Sequence, residues 1–381
     1  MLHVITKKII FFIVAAVLMS PLLVCAEASQ PEVTFEARVL EILDQRTIIR
    51  EGGSKNIQQD VRLKGLEGDF KGREFTFNGI GDLDVINSNI YARGDRVVVN
   101  YGEDAEGNDK FYIIDYVRRG QLYFFAFIFA LIVALIGGWK GLKSLVSLII
   151  TFVIVMKFVI PQILSGQSPV VIGIIGSFFI LFFVIYLTEG WNRRSHIAIF
   201  SVSIMLLLTY ALSVLFSDLT KLTGTAQEAI GSLMDTSYGT IDFRGLLLAS
   251  ILIGTLGVLD DVILAQIESV AQIKEANPAL TNGKIFKMAS KIGNTHLGAV
   301  VNTLFLAYAG ASLPLLLLFG IQQPPFLTFG QVINNESIAT EIVRTLVGSI
   351  GLTVAIPIST LLAVYFLKTG KESGSALVRA D

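Results

Sequence analysis

Residues 122–138 read Leu122-Tyr123-Phe124-Phe125-Ala126-Phe127-Ile128-Phe129-Ala130-Leu131-Ile132-Val133-Ala134-Leu135-Ile136-Gly137-Gly138, without one charged side chain. As a helix rising about 1.5 Å per residue, such a run is close to the thickness of a bilayer's hydrocarbon core. Six further apolar runs follow, at 144–164, 168–188, 196–217, 244–267, 295–320 and 343–367. The whole chain agrees: of 381 residues, 53% are hydrophobic and 16% charged, and mean hydropathy is +0.67. Soluble domains carry about 25% charged residues. The expected fold is an α-helical polytopic membrane protein, with about seven spans after an N-terminal signal or anchor. A net charge of −1 leaves no basic footprint for nucleic acid, and the single cysteine excludes an intrachain disulfide.

Charge orients the spans. Lys140, Lys143, Arg193, Arg194, Lys274, Lys284, Lys287, Lys291, Lys368, Lys371 and Arg379 fall on one side if the spans alternate. Only Lys157, Lys221, Arg244 and Arg344 fall elsewhere after residue 120. The excess of basic residues marks the cytoplasmic side, so the C-terminus is expected inside and the region before the first span outside. The start of the chain leads to the same orientation. Lys7 and Lys8 precede an apolar stretch from Ile9 to Val24, and small residues follow around Cys25-Ala26-Glu27-Ala28. Residues 1–28 therefore read as a signal peptide or an anchor helix. Residues 31–119 hold more than half of the acidic side chains. Their alternating segments, at 34–43, 73–77, 96–101 and 111–114, predict short strands. A small extracytoplasmic all-β barrel of the OB or SH3-like kind is expected there. Residues 120–370 form the transmembrane bundle, and 371–381 a cytoplasmic tail. An amphipathic helix is expected around Thr225–Met234, and a break at Asn277-Pro278.

The candidate chemistry lies in polar residues at membrane depth, which are costly unless they face a cavity or a partner. At 100° per residue, Ser250, Gly254, Gly257, Asp261, Ala265 and Glu268 share one face of a helix, and Asp260 lies to one side. Asp261 is the first candidate for a carboxylate that takes up a proton or cation, with Asp260 and Glu268 as further candidates. In the next span Asn302 and Thr303 are candidates to line a path, whereas His296 reads as an interfacial residue. Gly254, Gly257 and Gly298 are candidate helix-packing positions, as is Gly351 in the last span, where Pro357 would kink the helix. Arg344 is expected to snorkel to the outer interface. No P-loop, Gly-x-Ser-x-Gly elbow or His-Glu-x-x-His pattern is present. No enzyme activity, cofactor or metal site is therefore expected.

Several of these segments resemble the YibE/F-like family of membrane proteins. They are Ile241-Asp242-Phe243-Arg244-Gly245 leading into Gly257-Val258-Leu259-Asp260-Asp261-Val262, then Lys291-Ile292-Gly293-Asn294-Thr295-His296, Asn302-Thr303-Leu304-Phe305-Leu306-Ala307-Tyr308-Ala309-Gly310 and Ala355-Ile356-Pro357. The resemblance covers residues 120–368. It implies a multi-pass protein of the bacterial plasma membrane and a family aspartate at Asp261, with no established activity attached. The Gly-x-x-Asp-Asp pattern is also similar to the proton-relay half of resistance-nodulation-division and SecD/SecF proteins. Those place their external domain between two spans, whereas here it precedes the bundle.

Two functions compete. One is a permease coupled to protons or cations through Asp261, acting on an unidentified small solute or ion. The other is an envelope-assembly protein whose external barrel binds a protein partner while the bundle anchors it. The bilayer, and a second copy of the chain, complete the expected partners; nucleic acid is not among them.

Overall fold

A computed structural model describes residues 33–49, 55–80, 90–103, 107–226, 241–321 and 327–367. The expected signal segment, most of the Thr225–Met234 helix and the C-terminal tail lie outside them. The chain divides into two units, before and after residue 135.

The first unit carries five antiparallel strands: β1 (Val33–Ile49), β2 (Lys55–Gly65), β3 (Glu74–Asn78), β4 (Arg96–Glu103) and β5 (Asp109–Tyr116). Their order across the sheet is β3-β2-β1-β4-β5. Alternate residues point inward, and Phe35, Ala37, Val39, Val61, Leu63, Phe77, Val97 and Val99 form the core. Two irregularities in β1, between Val39 and Glu41 and between Ile42 and Asp44, add local twist. The sheet curls until its two edges meet. Phe75 of β3 stacks on Phe111 of β5 with ring centroids 4.3 Å apart. Buried Gln59 ties the segment before β4 to this core: its Oε1 accepts from the Tyr91 backbone N–H at 2.7 Å, and its Nε2 donates to the Tyr91 carbonyl at 3.2 Å.

Helix α1 (Arg119–Ile154) begins in this unit and continues through a π-helical turn at Val155–Val159 to Leu164. Its first half buries almost nothing. Phe125 is 65% exposed, Leu135 74% and Ile136 84%, which is an apolar surface suited to lipid and not to water. Gly138 interrupts the helical backbone at φ 54°, ψ −135°, a conformation open in practice to glycine alone.

The second unit is helical: α2 (Pro169–Thr188), α3 (Arg193–Leu219), α4 (Phe243–Ala276), α5 (Asn282–Ala311) and α6 (Glu336–Phe366). Asp242 starts α4 by accepting the Gly245 N–H at 2.9 Å, an N-cap that satisfies one free donor. Helix α4 is central and touches α2, α3, α5 and α6. Its Leu256, Leu259, Ile263 and Ile267 join Val202 and Met205 of α3 and Leu352 and Ala355 of α6 in one core.

Five described stretches are long and apolar enough to cross a membrane: 119–164, 169–188, 193–219, 243–276 and 336–366. The expectation was about seven, and the difference has two causes. The runs 122–138 and 144–164 fall in one helical stretch, broken only at Gly138. The run 295–320 falls on the end of α5, followed by the single turns Leu313–Leu316 and Leu318–Ile321. Pro314 cannot continue the helix hydrogen bonding there.

Candidate functional site

Polar groups meet an apolar lining where α4, α5 and α6 come together. A cavity of about 280 Å³ is lined by Val258, Asp261, Val262, Ala265, Gln266 and Ser269 of α4, by Ile292, Gly293, His296, Leu297 and Val300 of α5, and by Leu352 and Ile356 of α6. Its position follows from helical spacing: Asp261, Ala265 and Ser269 succeed each other every four residues along α4, so they stack on one face. Gly293 lets α5 close in. A Cβ there would lie 2.6 Å from both Gln266 Oε1 and Ile356 Cγ2. Gln266 is buried, and its Nε2 donates to the Ala289 carbonyl and to Thr360 Oγ1, each at 2.8 Å. One side chain thus joins the three helices that make the cavity.

The adjacent carboxylates separate. Asp261 lines the cavity and Asp260 does not; Asp260 Oδ1 accepts the Asp261 backbone N–H at 3.1 Å. Glu268 lies outside the cavity, where Arg194 Nη1 of α3 donates to it at 2.6 Å and Arg194 Nη2 reaches Glu275 at 2.5 Å. That grouping fastens α3 to α4.

Asn302 and Thr303 are not brought to the cavity. The inward stripe of α5 is Ile285, Ala289, Gly293 and Leu304. Asn302, nine residues after Gly293, falls half a turn away from it. Both residues are exposed, and the Thr303 hydroxyl donates to the Ala299 carbonyl of its own helix at 2.9 Å. Among the glycines expected at helix contacts, Gly351 faces Thr209, whose Oγ1 would lie 2.9 Å from an added Cβ, and Gly254 faces the Tyr308 hydroxyl at 3.1 Å. Gly257 and Gly298 face open space. Pro357 lies inside α6.

Reading the sequence missed two features. His296 stands in the cavity wall opposite α4; its i, i+3 spacing from Gly293 was the available signal. Arg344 is held between helices. Its side chain is 17% exposed, with Nη1 3.5 Å from Glu341 Oε1, Nη2 3.4 Å from Ser250 Oγ and the guanidinium over the Tyr308 ring at 5.8 Å. Ser250 and Asp261 are eleven residues apart on the same face of α4, about 16 Å along its axis. Gly254 and Gly257 lie between them on that face, so this stretch of α4 carries a polar group at either end with little bulk in between.

The profile of the family described as YibE/F-like protein matches residues 125–369. That range is well over half the chain and holds every residue of the cavity. No curated protein and no solved structure matches the chain.

Proposed function

This chain belongs to the YibE/F-like family, and from that premise we propose that it is a proton- or cation-coupled permease of the bacterial plasma membrane, with Asp261 as the coupling carboxylate. The cavity between α4, α5 and α6 carries this reading. An ionisable side chain at membrane depth is expensive unless it works there, and Asp261 faces the cavity with His296, Ser269 and Gln266 around the same space. At about 280 Å³ the cavity falls just below the range for small-molecule sites, roughly 300–1,000 Å³, which favours an ion or a small solute. The proton or cation binds Asp261 from one side and leaves toward the other. Arg344, Glu341, Tyr308 and Ser250 form the second polar station on the route. No nucleophile–base pair is assigned, and the protein acts as a transporter and not as an enzyme.

Seven crossings fit this reading. A straight helix over 119–164 would be about 69 Å long, more than twice the hydrocarbon core, and the non-helical backbone at Gly138 is read as the break between two crossings. The excess of basic residues then puts the C-terminus in the cytoplasm and the β unit outside. The curled sheet is read as an OB-like barrel: with β3 beside β5, its strands run 1-2-3-5-4 around the closure.

The test is voltage-driven proton or cation flux into liposomes holding the purified protein, for the wild type and for Leu297→Trp, which fills the cavity. The wild type should conduct and the filled variant should lose most of the flux. Equal flux in the two would refute a path through this cavity. Absence of flux in the wild type, with function lost on β-unit substitutions, would favour the envelope-assembly reading.

A further inference from the structure

The outer face of the β sheet carries cations that have no ion-pair partner among the described residues. In register, Arg38 of β1 stands opposite Lys64 of β2 on one side and Arg96 of β4 on the other. Neighbouring strands lie about 4.8 Å apart, and directly paired residues point to the same face. Their inward neighbours Ala37, Val39, Leu63 and Val97 are fully buried, so the three basic side chains point outward, and all three are exposed. None has an ion-pair partner among the described residues. The row ends at Glu74 of β3, opposite Lys64, without an ion pair between them. Like charges placed directly across strands destabilise a sheet, so the row costs stability in the absence of an anion.

The row lies beside the start of the apolar helix. Glu36 is two residues from Arg38 on the same face, and its Oε1 holds Arg119 Nη1 at 2.7 Å. Arg119 is the first residue of α1. The other carboxylates nearby are engaged: Glu67 accepts the Glu36 backbone N–H at 3.1 Å, Asp115 pairs with Arg118 at 2.6 Å, and Asp95 accepts the Ala92 N–H at 2.8 Å. Arg96 itself borders a hollow of about 950 Å³, whose other walls include Asp95, Arg118, Arg119, Leu122, Tyr123 and Phe125. That hollow is polar at one end, where Arg96 is the arginine without an ion-pair partner among the described residues, and apolar along the helix.

We propose that the row Lys64–Arg38–Arg96 and the adjoining hollow bind the phosphate of an anionic phospholipid, whose acyl chain lies along Leu122 and Phe125. A soluble phosphate would meet the cations but leave the apolar wall bare; a phospholipid satisfies both. The β unit is thereby held against the membrane surface from which α1 departs. A basic residue at an anionic membrane surface strengthens binding roughly fivefold. The three together, reduced by Glu74, should give a preference of tenfold or more.

The full chain, released from nanodiscs of equal phosphatidylglycerol and phosphatidylcholine, is examined by native mass spectrometry. The wild type should retain phosphatidylglycerol preferentially. The triple variant Arg38→Gln, Lys64→Gln, Arg96→Gln should lose most of that preference. The variant Lys284→Gln, Lys287→Gln, Lys291→Gln, altered at the start of α5, should keep the difference between wild type and β-sheet triple intact. Equal retention by wild type and β-sheet triple overturns the proposal. So does loss confined to the α5 variant, or displacement of the retained lipid by water-soluble glycerol phosphate at equal concentration, which would make the site one for free phosphate.

Discussion

Gly293 and Gly298 are five residues apart on α5, so they point to different sides of the helix and differ in what surrounds them. A methyl group at Gly293 would press on Gln266 Oε1 and Ile356 Cγ2, both at 2.6 Å, whereas at Gly298 it meets nothing within 4 Å. Overpacking of this kind costs about 1–3 kcal/mol. Gly293→Ala should therefore lower the unfolding midpoint in detergent by several degrees, and Gly298→Ala should leave it within about 0.5 kcal/mol of wild type. Equal effects would mean that α5 does not pack through Gly293. In the β unit, the Tyr101 hydroxyl donates to Asp109 Oδ1 at 2.8 Å, with Glu103 Oε1 at 3.2 Å. The Asp109 hydrogen bond is the main reason its pKa is pushed up to about 12, with burial and the two carboxylates' charges adding to it. The folded state thus keeps a proton that the unfolded chain releases near pH 10. The contribution to stability is whole below pH 10 and disappears as pH rises through about 12. Asp109→Asn should bring Tyr101 ionisation, read by ultraviolet absorbance, back toward 10; an unchanged titration would contradict the assigned cause.

At the scale of elements, Lys274 shows how α4 fixes its neighbour. Its ammonium is buried and donates to the carbonyls of Val364 at 2.7 Å and Leu367 at 2.5 Å, at the C-terminal end of α6. Those carbonyls have no later backbone partner among the described residues, and the negative end of the helix dipole favours a cation there. Removing a charged donor from such groups costs about 2 kcal/mol. Lys274→Met should therefore lower thermal stability and raise amide exchange in the last turn of α6; exchange confined to α4 would contradict the cap. Much of the element pattern is legible in sequence. The runs 168–188 and 343–367 correspond to α2 and α6, α4 ends at Ala276 just before Asn277-Pro278, and the alternation of the β unit marks β1, β3, β4 and β5. Strand β2 is hidden because Lys55-Asn56-Ile57-Gln58-Gln59-Asp60 is almost wholly polar, and only Val61 and Leu63 alternate clearly. Gln59 is the reason: this polar residue is buried to hold the Tyr91 backbone. The helical wheel of α4 gathers Asp261 and Ala265, but a single helix's periodicity does not say which neighbour comes opposite. His296, and the burial of Arg344 against Ser250 and Tyr308, depend on contacts between helices and so could not be read from one helix alone.

For the whole molecule, the two units carry different demands. The β unit has its own core and a basic row without ion-pair partners among the described residues; the helical unit gathers Asp261, Gln266 and His296 around the cavity between α4, α5 and α6. The central claim is that Asp261, on the cavity side of the acidic pair, carries the ion. It is tested most directly by comparing Asp261→Asn with Asp260→Asn for voltage-driven proton or cation flux in liposomes, each at the thermal stability of wild type. The two changes remove the same charge from adjacent positions, and only Asp261 lines the cavity. The account predicts that Asp261→Asn abolishes the flux while Asp260→Asn retains most of it. Flux that survives Asp261→Asn, or that is lost on Asp260→Asn alone, would contradict it.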